Sequence, residues 1–156
     1  MQIRQATPQE AERCWDIRNQ AIRAGCTSSY DAAVIDAWTP DNMPEQYRQE
    51  IINYPFFVAV DDSDRPVATG YLDLTSGSVE AIFTLPEYSG KGLAGAIMNA
   101  IKKEARARGF QAITLSSTPN AQGFYEAQGF TVVKESVHFS ASANAQLRCV
   151  DMILEL

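Results

Sequence analysis

Apolar positions change their spacing repeatedly along the 156 residues, and each spacing names an element. The opening QIRQA is a short strand. In TPQE, Thr7 serves as N-cap, Pro8 takes the first helical position and Glu10 closes a capping box. The helix then runs through Cys14, Trp15 and Ile22 to about Arg23, with Gly25 as its stop. SSYDAAVIDAW predicts a second short helix ending near Thr39-Pro40, and PEQYRQEIINY a third that starts on Pro44. FFVAV is a continuous apolar run, a buried strand. After the DDSDRP turn, VATGYLDL and SVEAIFTL alternate as a strand pair joined by TSGS.

From Gly92 to Arg108, the residues Leu93, Ile97, Ala100, Ile101 and Ala105 form one apolar stripe at helical spacing, and Gly109 ends it. QAITLSS is a strand and PNAQGFYEAQ a short helix closed by Gly129. FTVVKESVHF and AQLRCVDMILEL are long final strands suited to antiparallel pairing. There is no repeat, linker or low-complexity tract. The order is a mixed α/β (α+β) layout rather than a run of βαβ units, in one domain over residues 1–156.

Composition narrows the functions. Hydrophobic residues are 46% and charged residues 21%, the balance of a packed domain. A net charge of -6 argues against gripping nucleic acid or an anionic membrane surface, and leans weakly toward cationic ligands. No apolar run approaches the ~20 residues of a membrane span, and the N-terminus lacks the apolar region of a secretory signal. Cys14, Cys26 and Cys149 are odd in number and widely spaced, which predicts a reduced, cytoplasmic setting without disulfides or a zinc site. The single histidine, His138, alternates with apolar residues and reads as a strand-face residue. No metal is expected.

Gly90 to Gly95, GKGLAG, matches the G-x-G-x-x-G pattern of dinucleotide-binding loops. The context does not fit. Pro86-Glu87-Tyr88-Ser89 separate it from the strand, and the next strand ends in Leu115-Ser116-Ser117 with no ribose-binding acid. A Walker loop fails as well, because Gly92 stands where Ser or Thr is needed. What remains is a loop of small residues opening a long helix. Its unpaired N–H groups and dipole suit a phosphate or pyrophosphate.

Downstream lies Ala121-Gln122-Gly123-Phe124-Tyr125-Glu126-Ala127-Gln128-Gly129-Phe130. Together with Ser89-Gly90-Lys91-Gly92-Leu93-Ala94 it resembles the GCN5-related N-acetyltransferase (GNAT) superfamily. That superfamily carries [QR]-x-x-G-x-[GA] and a later A-x-x-F-Y-E-x-x-G-F segment. IFTLPEY looks like the strand before the loop, and YDAAVIDAW and SSTPNAQGFYE are similar to one bacterial branch. The resemblance implies a central mixed sheet of about six to seven strands flanked by helices. It also implies acetyl transfer from acetyl-CoA to a primary amine of a small molecule. Ser89 replaces the usual Gln or Arg, and Thr84 the usual Val. Where many members carry Asn, seven residues before the Tyr, this chain has Thr118, so Asn120 takes the cofactor contact as in the bacterial branch.

The resemblance also assigns roles. The CoA pyrophosphate falls to Ser89, Gly90, Lys91, Gly92, Leu93, Ala94 and Gly95. The pantetheine arm runs along the backbone of Ile82, Phe83 and Thr84, with an oxyanion donor near Phe83 or Thr84. Tyr125 matches the tyrosine that protonates the leaving thiolate. Glu80 is the candidate base for the incoming amine; strand alternation puts it on the face of Thr84, with Asp73 as fallback. Tyr30, Trp38 and Tyr47 are candidate lining residues of the acceptor pocket. Many members are dimers, and AQLRCVDMILEL offers a pairing edge for a homodimer. A CoA-binding sensor or interaction domain without catalysis stays open beside the enzyme: Ser89 favours it, Tyr125 and Asn120 oppose it.

Overall fold

The computed structural model describes residues 2–141 and 143–156. The strands are β1 (Gln2–Gln5), β2 (Phe56–Val60), β3 (Pro66–Asp73), β4 (Ser78–Thr84), β5 (Ala112–Ser117), β6 (Thr131–Ser140) and β7 (Ala145–Glu155). The helices are α1 (Ala11–Gly25), α2 (Ala32–Trp38), α3 (Glu45–Asn53), α4 (Leu93–Ala107) and α5 (Gln122–Ala127). The Thr7 capping box opens a single 3-10 turn, Pro8–Glu10, before α1 proper, and the Thr7 N–H donates to the Glu10 carboxylate at 3.0 Å.

All seven strands join one mixed sheet in the order β1-β2-β3-β4-β5-β7-β6. Every neighbouring pair is antiparallel except β4 with β5. The final strand does not form an edge as expected. β7 lies between β5 and β6, because its length and alternation let it pair on both sides, and β6 takes the edge with Val133, Val137 and Phe139 exposed.

β2 and β3 are buried on both faces, which explains the continuous apolar run of β2; β3, expected to alternate, is covered on both sides as well. Phe56, Val58, Val60 and Tyr71 meet Ala11, Cys14 and Trp15 of α1 and Tyr47 and Ile51 of α3 on one face. On the other face α4 lays down Leu93, Ile97, Met98, Ile101 and Ala105, all buried. Helix α4 stops where predicted. Gly109 takes φ +84°, and the Phe110 N–H returns to the Ala105 carbonyl at 3.0 Å, a Schellman closure.

Two irregularities in β4 shape everything around it. The first is a bulge. Thr69 opposes Phe83 and Tyr71 opposes Glu80, so three steps on β4 match two on β3. Ala81, within the bulge, sits at φ +57°, and its carbonyl accepts the Thr69 hydroxyl at 2.7 Å. Gly70 faces the bulge. A Cβ there would lie 2.5 Å from Ile82 Cδ1 and 2.6 Å from Ile97 Cγ2. The second irregularity is the junction with β5. The parallel pair is in register only at Ser78 and Thr114, and beyond that point the two strands part.

Gly70 is therefore fixed by close approach. Gly70→Ala is expected to destabilise by about 1–3 kcal/mol through overpacking. At 2–4 °C per kcal/mol that is a melting temperature lower by roughly 2–12 °C. An unchanged melting temperature would show that the α4–β4 contact yields freely.

Candidate active site

Parting of β4 and β5 opens a cavity of about 310 Å³. One wall is the β4 backbone from Val79 to Thr84, which includes Ile82, Phe83 and Thr84. The other comprises Leu115 and Ser116 of β5, Thr118, Asn120 and Ala121 from the following turn, and Tyr125 of α5. Ile22, Cys26 and Trp38 roof it. Past Ser78 no β5 residue pairs with β4, so this edge of β4 is available to another extended group.

Tyr125 is held by the same closure that ends α4. Gly129 at φ +100° lets the Phe130 N–H reach the Tyr125 carbonyl at 3.1 Å, and the Phe124 and Phe130 rings pack edge-on against it. Here the spacing of FYEAQGF has its physical reason: the glycine permits the turn that clamps the tyrosine. Burial first, then the nearby Glu80 carboxylate, pushes the phenol well above its ordinary pKa and keeps it protonated. Among the described residues, no group hydrogen-bonds to its hydroxyl.

The small-residue loop leaves the end of β4 through a 3-10 turn, Pro86–Tyr88, and enters α4 at Gly92. Gly90 (φ +75°) and Gly92 (φ +79°) need their glycine conformations and have open space where a Cβ would stand. No side chain caps α4, so the N–H groups of Leu93, Ala94 and Gly95 remain free for an anion. The Leu93 side chain itself turns into the core. The Ser89 hydroxyl donates to the Pro86 carbonyl at 2.7 Å, and Lys91 is exposed. None of residues 89–95 lines the cavity; the loop lies beyond the end of its β4 wall.

A second cavity, about 350 Å³, abuts the first, and Glu80, Ala81 and Phe83 line both. Its other walls include Trp15, Arg18, Tyr47, Glu50 and Tyr71. The bulge corrects the expected orientation of Glu80. Directly opposed residues share a face; Tyr71–Glu80 and Thr69–Phe83 lie on one face, and Ala68–Thr84 on the other. The extra residue breaks the alternation, and Glu80 joins Phe83 rather than Thr84. Its carboxylate accepts the Ser78 hydroxyl at 2.7 Å. Glu80 is exposed and lines both concavities, and desolvation still raises its pKa, with Asp73 adding to the shift. Asp73, the fallback base, is committed elsewhere: it accepts the N–H groups of Thr75 and Ser76 at 2.8 and 3.2 Å in the turn before β4.

Other expected residues separate. Trp38 faces the first cavity, whereas Tyr30 stacks edge-on against Trp38 and donates its hydroxyl to the Arg148 carbonyl on β7. Asn120 lies in the first cavity, its side-chain oxygen accepting Ser29 at 3.3 Å. Arg18 was not singled out by its sequence context. It occupies the apolar stripe of α1, between Cys14 and Ile22, and a charge at a core position is the signal that marks it. Next to the β5 wall of the cleft, pairing of β6 with β7 brings His138, Cys149 and Asp151 together, their ligand atoms within 4.8 Å of one another, and Asp151 accepts the hydroxyl of Ser116 from that wall at 3.0 Å. His138 and Asp151 already hydrogen-bond at 3.2 Å. No helix among the described residues is long and apolar enough to cross a membrane.

Comparison with known proteins agrees with this architecture. The model of the acetyltransferase (GNAT) domain matches residues 26–156. An uncharacterised acetyltransferase from Streptococcus pyogenes is 36% identical over 78 residues, covering 47% of this chain and 54% of that one, about half the length of the relative. A GCN5-related N-acetyltransferase from Rhodopseudomonas palustris superposes with a TM-score of 0.90 at 19% identity, over 99% of this chain and 95% of that one. The PaiA N-acetyltransferase of Thermoplasma acidophilum, solved in complex with coenzyme A, gives 0.73 at 16% identity, over 99% and 98% of the two chains.

The second cavity makes a prediction about pH. Desolvation raises the pKa of Glu50, reinforced by Glu80 and Asp73 and opposed by the Tyr71 hydroxyl and by Arg18. A carboxyl raised in the folded state contributes its stability below the unfolded pKa of about 4.3, and that contribution is lost as pH rises through the folded value. Glu50→Gln stays neutral throughout. It is expected to melt above wild type at pH 7, with the gap closing as pH falls toward about 4. A variant less stable than wild type at pH 7 would reverse the sign.

Proposed function

Because the chain belongs to the acetyltransferase (GNAT) domain family, we propose that it moves an acetyl group from acetyl-CoA to a primary amine of a small molecule. The observation that carries this is the meeting of two cavities at the β4 bulge, with Glu80 on their shared wall and Tyr125 on the far side of the first. Bound acetyl-CoA supplies a thioester: a C–N bond forms at its carbonyl as the C–S bond breaks. The free N–H groups at the start of α4, with Gly90 and Gly92 bare in front of them, suit its pyrophosphate. Unpaired backbone from Ile82 to Thr84 suits its arm, and a β4 N–H near Phe83 or Thr84 stabilises the developing oxyanion. Asn120 adds a polar contact inside the cleft.

Glu80 takes the amine proton, directly or through a water. An alkylammonium has a pKa of about 10, and the raised carboxyl narrows the gap to it. Tyr125, kept protonated by burial, gives its proton to the leaving thiolate. Trp38 closes the roof over the thioester.

Melting curves with acetyl-CoA, CoA and NAD test the first half of the reading. Acetyl-CoA at 100 times its dissociation constant should add about 2.7 kcal/mol of apparent stability, and NAD none. A shift with NAD alone would overturn it. Thiol release then tests the chemistry. Tyr125→Phe should lower kcat by about 10²-fold while keeping the acetyl-CoA shift; normal turnover would remove Tyr125 from the acid role. The acidic limb of the pH–rate profile should lie above the ordinary carboxyl value of about 4.3 and vanish in Glu80→Gln. Acetyl-CoA binding with no turnover of any amine would favour a non-catalytic binding domain.

A further inference from the structure

Arg18 is a charge that the proposed chemistry does not use. It lines the second cavity with Trp15, Tyr47, Glu50 and Glu80. Its Nη1 donates to the Asn19 side chain at 2.7 Å and to the Trp38 carbonyl at 3.0 Å. The guanidinium lies 4.2 Å from the centre of the Trp15 ring and 6.0 Å from that of Trp38, so aromatic surface fixes its plane. Among the described residues no carboxylate forms an ion pair with it, and its Nε and Nη2 N–H groups have no acceptor. A guanidinium offers five donors in a fixed fork, and Arg18, half-buried and influenced only through space by Glu50, leaves part of that fork unused. Desolvation lowers its pKa to about 10.

Tyr47 is a second orphan in the same wall. The residue is 6% exposed, and its hydroxyl is buried with no hydrogen-bond partner. Buried polar groups are nearly always satisfied, and the exceptions call for a ligand or a reason. Two residues with unsatisfied donors thus line one cavity, the Tyr47 hydroxyl closed off from solvent within its wall, and Glu80, on the wall shared with the first cavity, suits an ammonium. Every ionisable side chain lining it is accounted for: Arg18 is the only cation, Glu50 and Glu80 are the acids, and Tyr47 and Tyr71 are phenols. Glu50 feels both the Tyr71 hydroxyl and, through space, Arg18.

We propose that the second cavity binds an α-amino acid, whose carboxylate takes the free N–H groups of Arg18 and the hydroxyl of Tyr47 while its amine is presented to Glu80. This rests on the acetyltransferase reading and adds the acceptor class to it. An anion cancels the unpaired guanidinium, bidentate pairing matches its planar fork, and the ammonium faces the acids. Trp15, Pro44 and Phe83 leave apolar wall for a side chain.

The test compares the twenty proteinogenic amino acids with their decarboxylated amines as acceptors, reading thiol release from acetyl-CoA. Melting shifts with acetyl-CoA are recorded alongside. At least one amino acid should exceed its amine by roughly 10–100-fold in kcat/KM, the worth of charged hydrogen bonds. Arg18→Gln should erase that preference. Tyr47→Phe, which keeps the ring and its packing, should raise KM for the amino acid several-fold more than for the matched amine. This second variant holds if Arg18→Gln fails to fold. Amines turned over as well as their parent amino acids would overturn the acceptor class and leave acetyl transfer standing. So would a preference that survives both variants. No turnover of any amino acid or matched amine, with acetyl-CoA still stabilising the protein, would overturn the acceptor class and favour the non-catalytic binding domain over acetyl transfer. Absence of the acetyl-CoA shift would remove the reading beneath it as well.

Discussion

Strands β4 and β5 are joined at a single register point, and the rest of the structure is arranged around that. A sheet normally satisfies its backbone by pairing each strand on both sides. Here the pairing stops after Ser78 and Thr114, and the β4 backbone runs on with one side open. The opening persists because each flank is held independently. β4 is locked to β3 by its long antiparallel register, and β5 to β7 by another. Helix α4 binds one side through Ile97 and Ile101. The parting cannot close without breaking these contacts, so the cleft is a rigid product of the fold.

The bulge acts on the same strand at right angles to the split. One additional residue, carried at a left-handed Ala81 and tied to Thr69, turns Glu80 to the α1–α3 face while the backbone stays in the cleft wall. The donor side and the acceptor side therefore communicate through Glu80, Ala81 and Phe83. Gly70 is the geometric counterpart, since only a missing side chain lets Ile82 and α4 come so close.

The second cavity has a charge logic that net composition hides. The chain is acidic as a whole, yet Arg18 sits on aromatic rings without an ion pair, beside carboxyls whose pKa values desolvation has raised. Separated charges of both signs in one small space have a natural complement in a zwitterion. By contrast Arg4, on the outer strand β1, is paired to Glu10 at 2.7 Å and to Asp64 at 3.0 Å, as a charge with only a structural task is.

By itself the sequence determined what depends on neighbours along the chain. Spacing placed the elements, Gly109 and Gly129 closed their helices, and Gly90 and Gly92 opened α4 as an anion-ready end. FYEAQGF set Tyr125 in a clamped turn. These follow from local geometry: helical period, glycine dihedrals and capping act within a few residues. Tertiary structure decided what depends on register and distance. Alternation alone put Glu80 on the face of Thr84, and a one-residue bulge answered by β3 reversed it. Only pairing on both sides showed β7 to be interior. Only the packing of α1 against α3 revealed that Arg18, at a core position of its helix, faces a cavity without a direct ion pair among the described residues. A strand's parity, a strand's place in the sheet and a charge's partner are each set by residues far away in sequence, and no local pattern encodes them.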